Sequence, residues 1–181
     1  MKEPIKYIKN FFKEKDYTEV LNYIDTIGWN ERGQDFPGSS YTTHYTGQII
    51  NKKKGEKNIK IPLVKKALNN IRLLLKEEYF PHNLYFNSYK FGDELQAHTD
   101  KVTKTKNNKT LIIYCTKQWH KDWHGETLIY NEDDVIGGCL PMPNTAIIFD
   151  SVLLHSMAPI SRYCRELRNI LVFQLEGKKN A

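Results

Sequence analysis

NSYKFGDELQAHTD, residues 87–100, ends on two side chains able to bind a metal, His98 and Asp100, separated by one residue. Successive side chains of an extended strand alternate between its faces, so residues i and i+2 point the same way. One short strand can therefore aim an imidazole and a carboxylate at a single ion. A third ligand has to arrive on a distant strand folded back beside the first. His155, inside the apolar run AIIFDSVLLHSM (residues 146–157), is placed to supply it. The run RNILVFQL (residues 168–175) then opens on Arg168, whose fixed fork of donors suits a carboxylate.

Two imidazoles and one carboxylate are the facial triad that holds non-haem Fe(II) with positions left open. The His-x-Asp pattern alone is weak. Six His and nine Asp in 181 residues give roughly 0.3 matches by chance. The chain holds two, His98-Thr99-Asp100 and His120-Lys121-Asp122. The second lies in the short polar stretch WHKDWH (residues 119–124), with no β-branched run around it. It leaves 32 residues before His155, whereas the first leaves 54, room for several strands. The first pair is therefore the better ligand pair, and His120 and His124 read as a solvated loop pair. Nor do these two form a zinc-protease helix, because Lys121 stands where HExxH requires Glu.

From Leu84 onward short strands alternate with turn signals, at about 84–91, 94–101, 109–116, 125–130, 134–140, 145–150, 153–158 and 168–175. Helices precede them. DYTEVLNYIDTIGW (16–29) spaces Val20, Leu21, Ile24 and Ile27 helically, with Asp16 as N-cap and Gly28 as stop. PLVKKALNNIRLLLKEEYF (62–80) starts on Pro62 and carries an apolar stripe of Val64, Ala67, Leu68, Ile71, Leu74 and Leu75. Between them NERGQDFPGSSYTTHYTGQ (30–48) reads as a long loop or hairpin. The expected architecture is α+β: a jelly roll, or double-stranded β-helix, over about 84–175, with helical support over about 1–83. Length suits one domain spanning 1–181.

Hydrophobic content of 40% and aromatic content of 12% argue against disorder despite a mean hydropathy of −0.60. No apolar run reaches the ~20 residues of a membrane helix, and MKEPIKYIKN lacks a signal peptide's apolar core. Cys115, Cys139 and Cys164 are odd in number and form no CxxC, which suits a reducing compartment; the expected location is cytoplasmic, without membrane association. The net charge of +6 comes mostly from lysines in stretches such as NKKKGEKNIK (51–60) and KVTKTKNNK (101–109), with arginine present only five times. It reads as a solvated surface and names no partner.

At these residues the chain resembles the Fe(II)/2-oxoglutarate-dependent oxygenases, in particular their prolyl-hydroxylase-like branch. The resemblance covers about residues 84–175 and, more loosely, the opening IKYIKNFFKEKDYTEVLNYI (5–24), which is similar to the family's strand-then-helix entry. NSYKFGDELQAHTD is similar to the family's tyrosine–glycine–HxD stretch. LIIYCTKQWHKDWHGETLIY (111–130) looks like its strand, tryptophan and glycine turn. NTAIIFDSVLLHSMAPIS (144–161) matches the distal-histidine strand, and RNILVFQL matches the strand that begins with the cosubstrate arginine. By this resemblance His98, Asp100 and His155 hold Fe(II), Arg168 binds the distal carboxylate of 2-oxoglutarate, and Tyr89 hydrogen-bonds the cosubstrate. Ascorbate is implied as an accessory reductant. Strand alternation favours Arg168 over Arg165, since Arg168, Ile170 and Val172 share one face, while Arg162 and Arg165 lie in a polar turn. The chain departs from the family at His124-Gly125-Glu126, where two glycines are usual; the turn is expected to alter and His124 to edge toward the site mouth. Ile113 stands where some relatives place a second cosubstrate tyrosine. Trp119 and Trp123 read equally as packing anchors or substrate contacts.

The implied reaction converts 2-oxoglutarate and O2 to succinate and CO2 while hydroxylating a substrate. The first expectation is a protein side chain, above all prolyl, presented as a protein or peptide. The alternatives are a small molecule, a modified nucleobase, or a non-catalytic jelly-roll binding module. AlkB-type demethylases carry Arg-x5-Arg on the cosubstrate strand, where this chain has Gln174 in sixth position, which disfavours nucleic acid. Long irregular loops are often functional, so Phe36, Tyr41, His44 and Tyr45 are candidates for a lid over the substrate. Oligomeric state is not legible.

Overall fold

The computed structural model describes residues 4–27, 30–32, 44–51, 62–75, 79–100 and 107–177. Its elements run β1 (Ile5–Ile8), α1 (Glu14–Ile24), β2 (Asn30–Arg32), β3 (His44–Asn51), α2 (Pro62–Leu75), β4 (Tyr79–Tyr89), β5 (Leu95–His98), β6 (Asn108–Tyr114), a 3-10 turn (Lys121–Trp123), β7 (Thr127–Asn131), β8 (Asp134–Cys139), β9 (Thr145–Asp150), β10 (Leu154–Met157) and β11 (Arg168–Gly177). Among the described residues the strands make two antiparallel sheets, one in the order β1-β9-β6-β11-β4-β3-β2 and one in the order β5-β10-β7-β8.

Period-two alternation gives the larger sheet two apolar faces. Leu84, Phe86, Leu111, Ile113, Ile148, Leu171, Phe173 and Leu175 point outward and are covered by Val20 and Ile24 of α1 and by Leu63, Val64, Ala67, Leu68 and Ile71 of α2. Ile112, Ile147, Phe149, Ile170 and Val172 point inward against Ile129 and Met157 of the smaller sheet. This is the jelly roll with helices on one outer face that the pattern predicts. Truncating a fully buried leucine such as Leu111 would cost about 2–5 kcal/mol.

Two expectations need correction. Asp16 does not cap α1: Lys13 is the N-cap and makes no side-chain cap bond. Asp16 instead sits in the first turn and pairs with Lys66 of α2 at 2.6 Å, a neighbour that local sequence cannot reveal. The second helix gives way before Tyr79 and Phe80, whose aromatic rings suit a strand and open β4. Strands accompany the helices over 1–83. β1 joins the larger sheet beside β9, and β2 with β3 extends the other edge beside β4. Asn144 secures the N-terminal end, its side chain accepting from Phe12 N and donating to Phe12 O at 2.9 Å each. The lid residues Phe36 and Tyr41, and the stop Gly28, lie outside the described residues.

Candidate metal centre and cosubstrate pocket

β5 and β10 pair with His98 directly opposite His155. The two imidazole centroids lie 4.3 Å apart, and Phe149 packs against His155 at 4.8 Å. Asp100 follows the end of β5 and is anchored by its backbone N–H to Ser151 O at 3.1 Å. Side-chain ligand atoms of His98, Asp100 and His155 all fall within 4.8 Å of one another. Nδ1 of His98 lies 2.9 Å from Gln96 O, and Nδ1 of His155 lies 3.0 Å from Leu153 O. A carbonyl only accepts, so each ring keeps its proton on Nδ1 and presents a lone pair at Nε2.

His155 Nε2 and Asp100 Oδ2 are 3.8 Å apart, but this is not an ion pair. Burial lowers the pKa of His155, and with help from His98 it outweighs the pull of Asp100. His155 is thus a neutral imidazole, the form that ligates. The donor set, two imidazoles and a carboxylate on one side of a cavity, fits Fe(II).

Asp100 is gripped at both oxygens. Thr110 Oγ1 donates to Oδ2 at 2.5 Å and contacts Ser151 Oγ at 2.9 Å, while Gln174 Nε2 donates to Oδ1 at 2.6 Å. Sequence reasoning missed Thr110 and Gln174, since a polar side chain on a strand usually reads as a solvated one. The signal available was parity: Gln174 is an even number of residues from Arg168 and so shares its face.

Arg168 borders the same cavity, of about 330 Å³, as His98, Asp100 and His155. Its side chain is buried, with Nε donating to Gly125 O and Nη2 to Thr127 Oγ1, each at 2.9 Å. The rings of Tyr89 and Tyr114 lie 5.6 and 5.3 Å from its guanidinium carbon. No carboxylate among the described residues pairs with it. Tyr114 and Cys139 cannot serve as its counter-charge, because burial pushes both pKa values up and keeps them neutral. A buried guanidinium without an anion is costly, and an anionic ligand in the cavity removes that cost.

The structure separates the remaining candidates. Tyr89 lines the cavity and accepts from Asn87 Nδ2 at 2.9 Å. Ile113 faces the helices, whereas Tyr114, one residue on, faces Arg168 and hydrogen-bonds Thr127 at 2.7 Å. Arg162 and Arg165 are exposed, the former stacked on Tyr163 at 5.2 Å. His120 accepts from Asp122 N at the start of the 3-10 turn and belongs to no ligand cluster among the described residues. Trp119 is buried, meets Trp123 edge-on at 5.5 Å and donates to His124 O at 3.0 Å, which makes it a packing anchor.

The turn at 124–125 is not altered in the way expected. His124 takes φ 55° and ψ −139°, a conformation suited to glycine, and its side chain is exposed and absent from the cavity wall. Gly125 (φ +74°) is required: a Cβ there would stand 3.2 Å from both Ile160 and Trp119, and its carbonyl holds Arg168.

A jelly roll with a His–Asp–His cluster and a buried arginine in one cavity defines a metal-dependent oxygenase class. Residues 84–171 match the family model described as the 2OG-Fe(II) oxygenase superfamily. The match covers 88 of the 181 residues and, with the His–Asp–His cluster, marks a 2-oxoglutarate-dependent non-haem iron dioxygenase, with Fe(II) as cofactor and 2-oxoglutarate as cosubstrate. The reading as a non-catalytic binding module is thereby set aside.

Solved structures share the fold. A 2OG-Fe(II) oxygenase family oxidoreductase from Burkholderia pseudomallei aligns with TM-score 0.75 at 13% identity, over 96% of this chain and 85% of that one. A Trichoplax adhaerens prolyl hydroxylase, in complex with a hypoxia inducible factor oxygen degradation domain peptide fragment, aligns with TM-score 0.69 at 15% identity, over 96% and 84%. A non-haem alpha-ketoglutarate-dependent epimerase from nogalamycin biosynthesis aligns with TM-score 0.67 at 9% identity, over 96% and 78%. No curated protein matches the chain in sequence.

Proposed function

We propose that this chain hydroxylates a protein side chain, of prolyl type, within one oxygenase domain spanning residues 1–181. The observation that carries the cosubstrate assignment is Arg168, a buried cation without a carboxylate partner among the described residues, on the wall of the cavity that holds the ligand cluster. His98 and His155 would hold Fe(II) through Nε2 and Asp100 through its carboxylate. Arg168 would take the distal carboxylate of 2-oxoglutarate with charge-assisted hydrogen bonds, and Tyr89 would hydrogen-bond the same molecule. Bound Fe(II) supplies the oxidation that turns 2-oxoglutarate and O2 into succinate and CO2 and adds a hydroxyl to the substrate. The residues of the chain orient the cosubstrate, neutralise its charge and wall it off with Ile112, Leu95, Met157, Ile170 and Val172.

A protein substrate is supported by the tryptophan–glycine segment 119–126 and by the likeness to a prolyl hydroxylase bound to a peptide fragment. The free thiols Cys115, Cys139 and Cys164 support a cytoplasmic setting, and no helix among the described residues is long and apolar enough to cross a membrane. The small-molecule reading keeps a specific support in the epimerase that shares the fold. Succinate release over a panel of proline-containing peptides, free amino acids, other small molecules and oligonucleotides separates these readings. Peptide-stimulated turnover, with the peptide gaining one oxygen, is expected. Stimulation by small molecules alone would overturn the protein-substrate assignment.

A further inference from the structure

We propose that Gln174, oriented by Asn83, is the positioning residue for the Asp100 ligand and that this pair sets the affinity of the metal centre. The proposal rests on Asp100 being a ligand. A carboxylate only accepts, so the group 2.6 Å from Asp100 Oδ1 has to be the NH2 end of the Gln174 amide. That places Oε1 at the opposite end, where Asn83 Nδ2 donates to it at 3.0 Å. Hydrogen bonds therefore run one way, Asn83 to Gln174 to Asp100, and each link fixes the orientation of the next.

The backbone supports this arrangement. Asn83 and Gln174 are register partners across β4 and β11, and the β11 ladder slips immediately after Gln174. Such bulges occur beside active sites, where they re-aim a side chain. Gln174 is only 7% exposed, so little water competes for its amide. Gln174 holds Oδ1, while Oδ2, which accepts from Thr110, lies 3.8 Å from His155 Nε2. Gln174 acts through Asp100, to which its amide donates.

The test uses Co(II), a redox-silent probe, titrated into metal-free full-length protein. Gln174→Leu should weaken Co(II) binding by about 10–100-fold, the usual cost of removing a ligand's outer partner. Asn83→Leu should weaken it by a smaller factor, and the double variant should bind no more weakly than Gln174→Leu, because Asn83 acts through Gln174. A general packing defect would instead add in the double variant and lower the melting temperature of each metal-free protein. Unchanged Co(II) affinity in Gln174→Leu overturns the proposal. Should that variant not fold, Asn83→Leu, which leaves Gln174 in place, decides alone: unchanged affinity there overturns the relay. Asp100→Ala distinguishes the deeper failure, since wild-type Co(II) affinity in that variant would overturn the ligand assignment itself.

Discussion

His98-Thr99-Asp100 and His120-Lys121-Asp122 are the same pattern with different fates. The first sits on a strand whose neighbour delivers His155, and the side chains of Asp100 and His155 are 7% and 6% exposed. The second caps a short 3-10 turn, with side chains 59% and 68% exposed. Spacing sets which way two side chains point; only a paired strand decides whether a third group meets them. The second pair is exposed and contacts itself, whereas the first is held in place by Thr110, Gln174 and two backbone carbonyls.

Four predictions probe that contrast. The largest effect is expected at the first pair: His98→Ala or Asp100→Ala should abolish 2-oxoglutarate-dependent succinate formation, with the far-UV spectrum retained, while His120→Ala turns over like the parent. An inactive His120→Ala beside an active His98→Ala would reverse the assignment.

Next comes the cosubstrate anchor. Arg168→Ala should raise the 2-oxoglutarate concentration needed for half-maximal turnover by about one to two orders of magnitude, matching the ~1.5–3 kcal/mol of a hydrogen bond to a charged group. Arg165→Ala, in the exposed turn, should not shift it. Equal losses in both would show that the cavity face of β11 has been misjudged.

Tyr89→Phe should have a smaller effect on the same titration, about fivefold for a neutral hydrogen bond of ~1 kcal/mol; no change would remove Tyr89 from the cosubstrate site.

The smallest effect concerns the second region. His124→Gly should raise the denaturant midpoint by about 1 kcal/mol of stability, because glycine accepts the backbone conformation that His124 is forced to adopt. A fall in stability would mean that the exposed His124 side chain, 3.7 Å from Glu126, contributes more than the strain it imposes.

The sequence was most legible where alternation ran long. The strands from β4 to β11 follow from runs such as LIIY and ILVFQL, whose even and odd positions belong to different cores. β1 was legible only through the resemblance of the opening 5–24, because four residues, IKYI, carry too little pattern of their own, and β3 only as part of a loop or hairpin, because HYTGQIIN is broken by Gly47. In the site, His98, Asp100, His155 and Arg168 could be picked out because metal- and carboxylate-binding residues are rare on apolar strands. Parity placed Gln174 on the face of Arg168, but the roles of Thr110, Gln174 and Asn83 depend on partners 10, 74 and 91 positions away in sequence. Tyr114 was missed by one position, an error that alternation turns into the opposite face of the sheet.

β11 lies between β4 and β6, hydrogen-bonded along both edges. One surface of this strand carries Arg168 and Gln174, and the other carries Leu171, Phe173 and Leu175 against the helices. The proposed cosubstrate anchor and the proposed ligand support are thus counted off along a single rigid frame, six residues or about 20 Å of extended chain apart. Substitutions along that frame can be compensated one at a time. Inserting or deleting one residue between 168 and 174 cannot, because it would exchange a functional side chain for a core side chain and uncouple the two ends of the cavity at once. The strand therefore behaves as a fixed-length gauge, tolerant in spelling and intolerant in count.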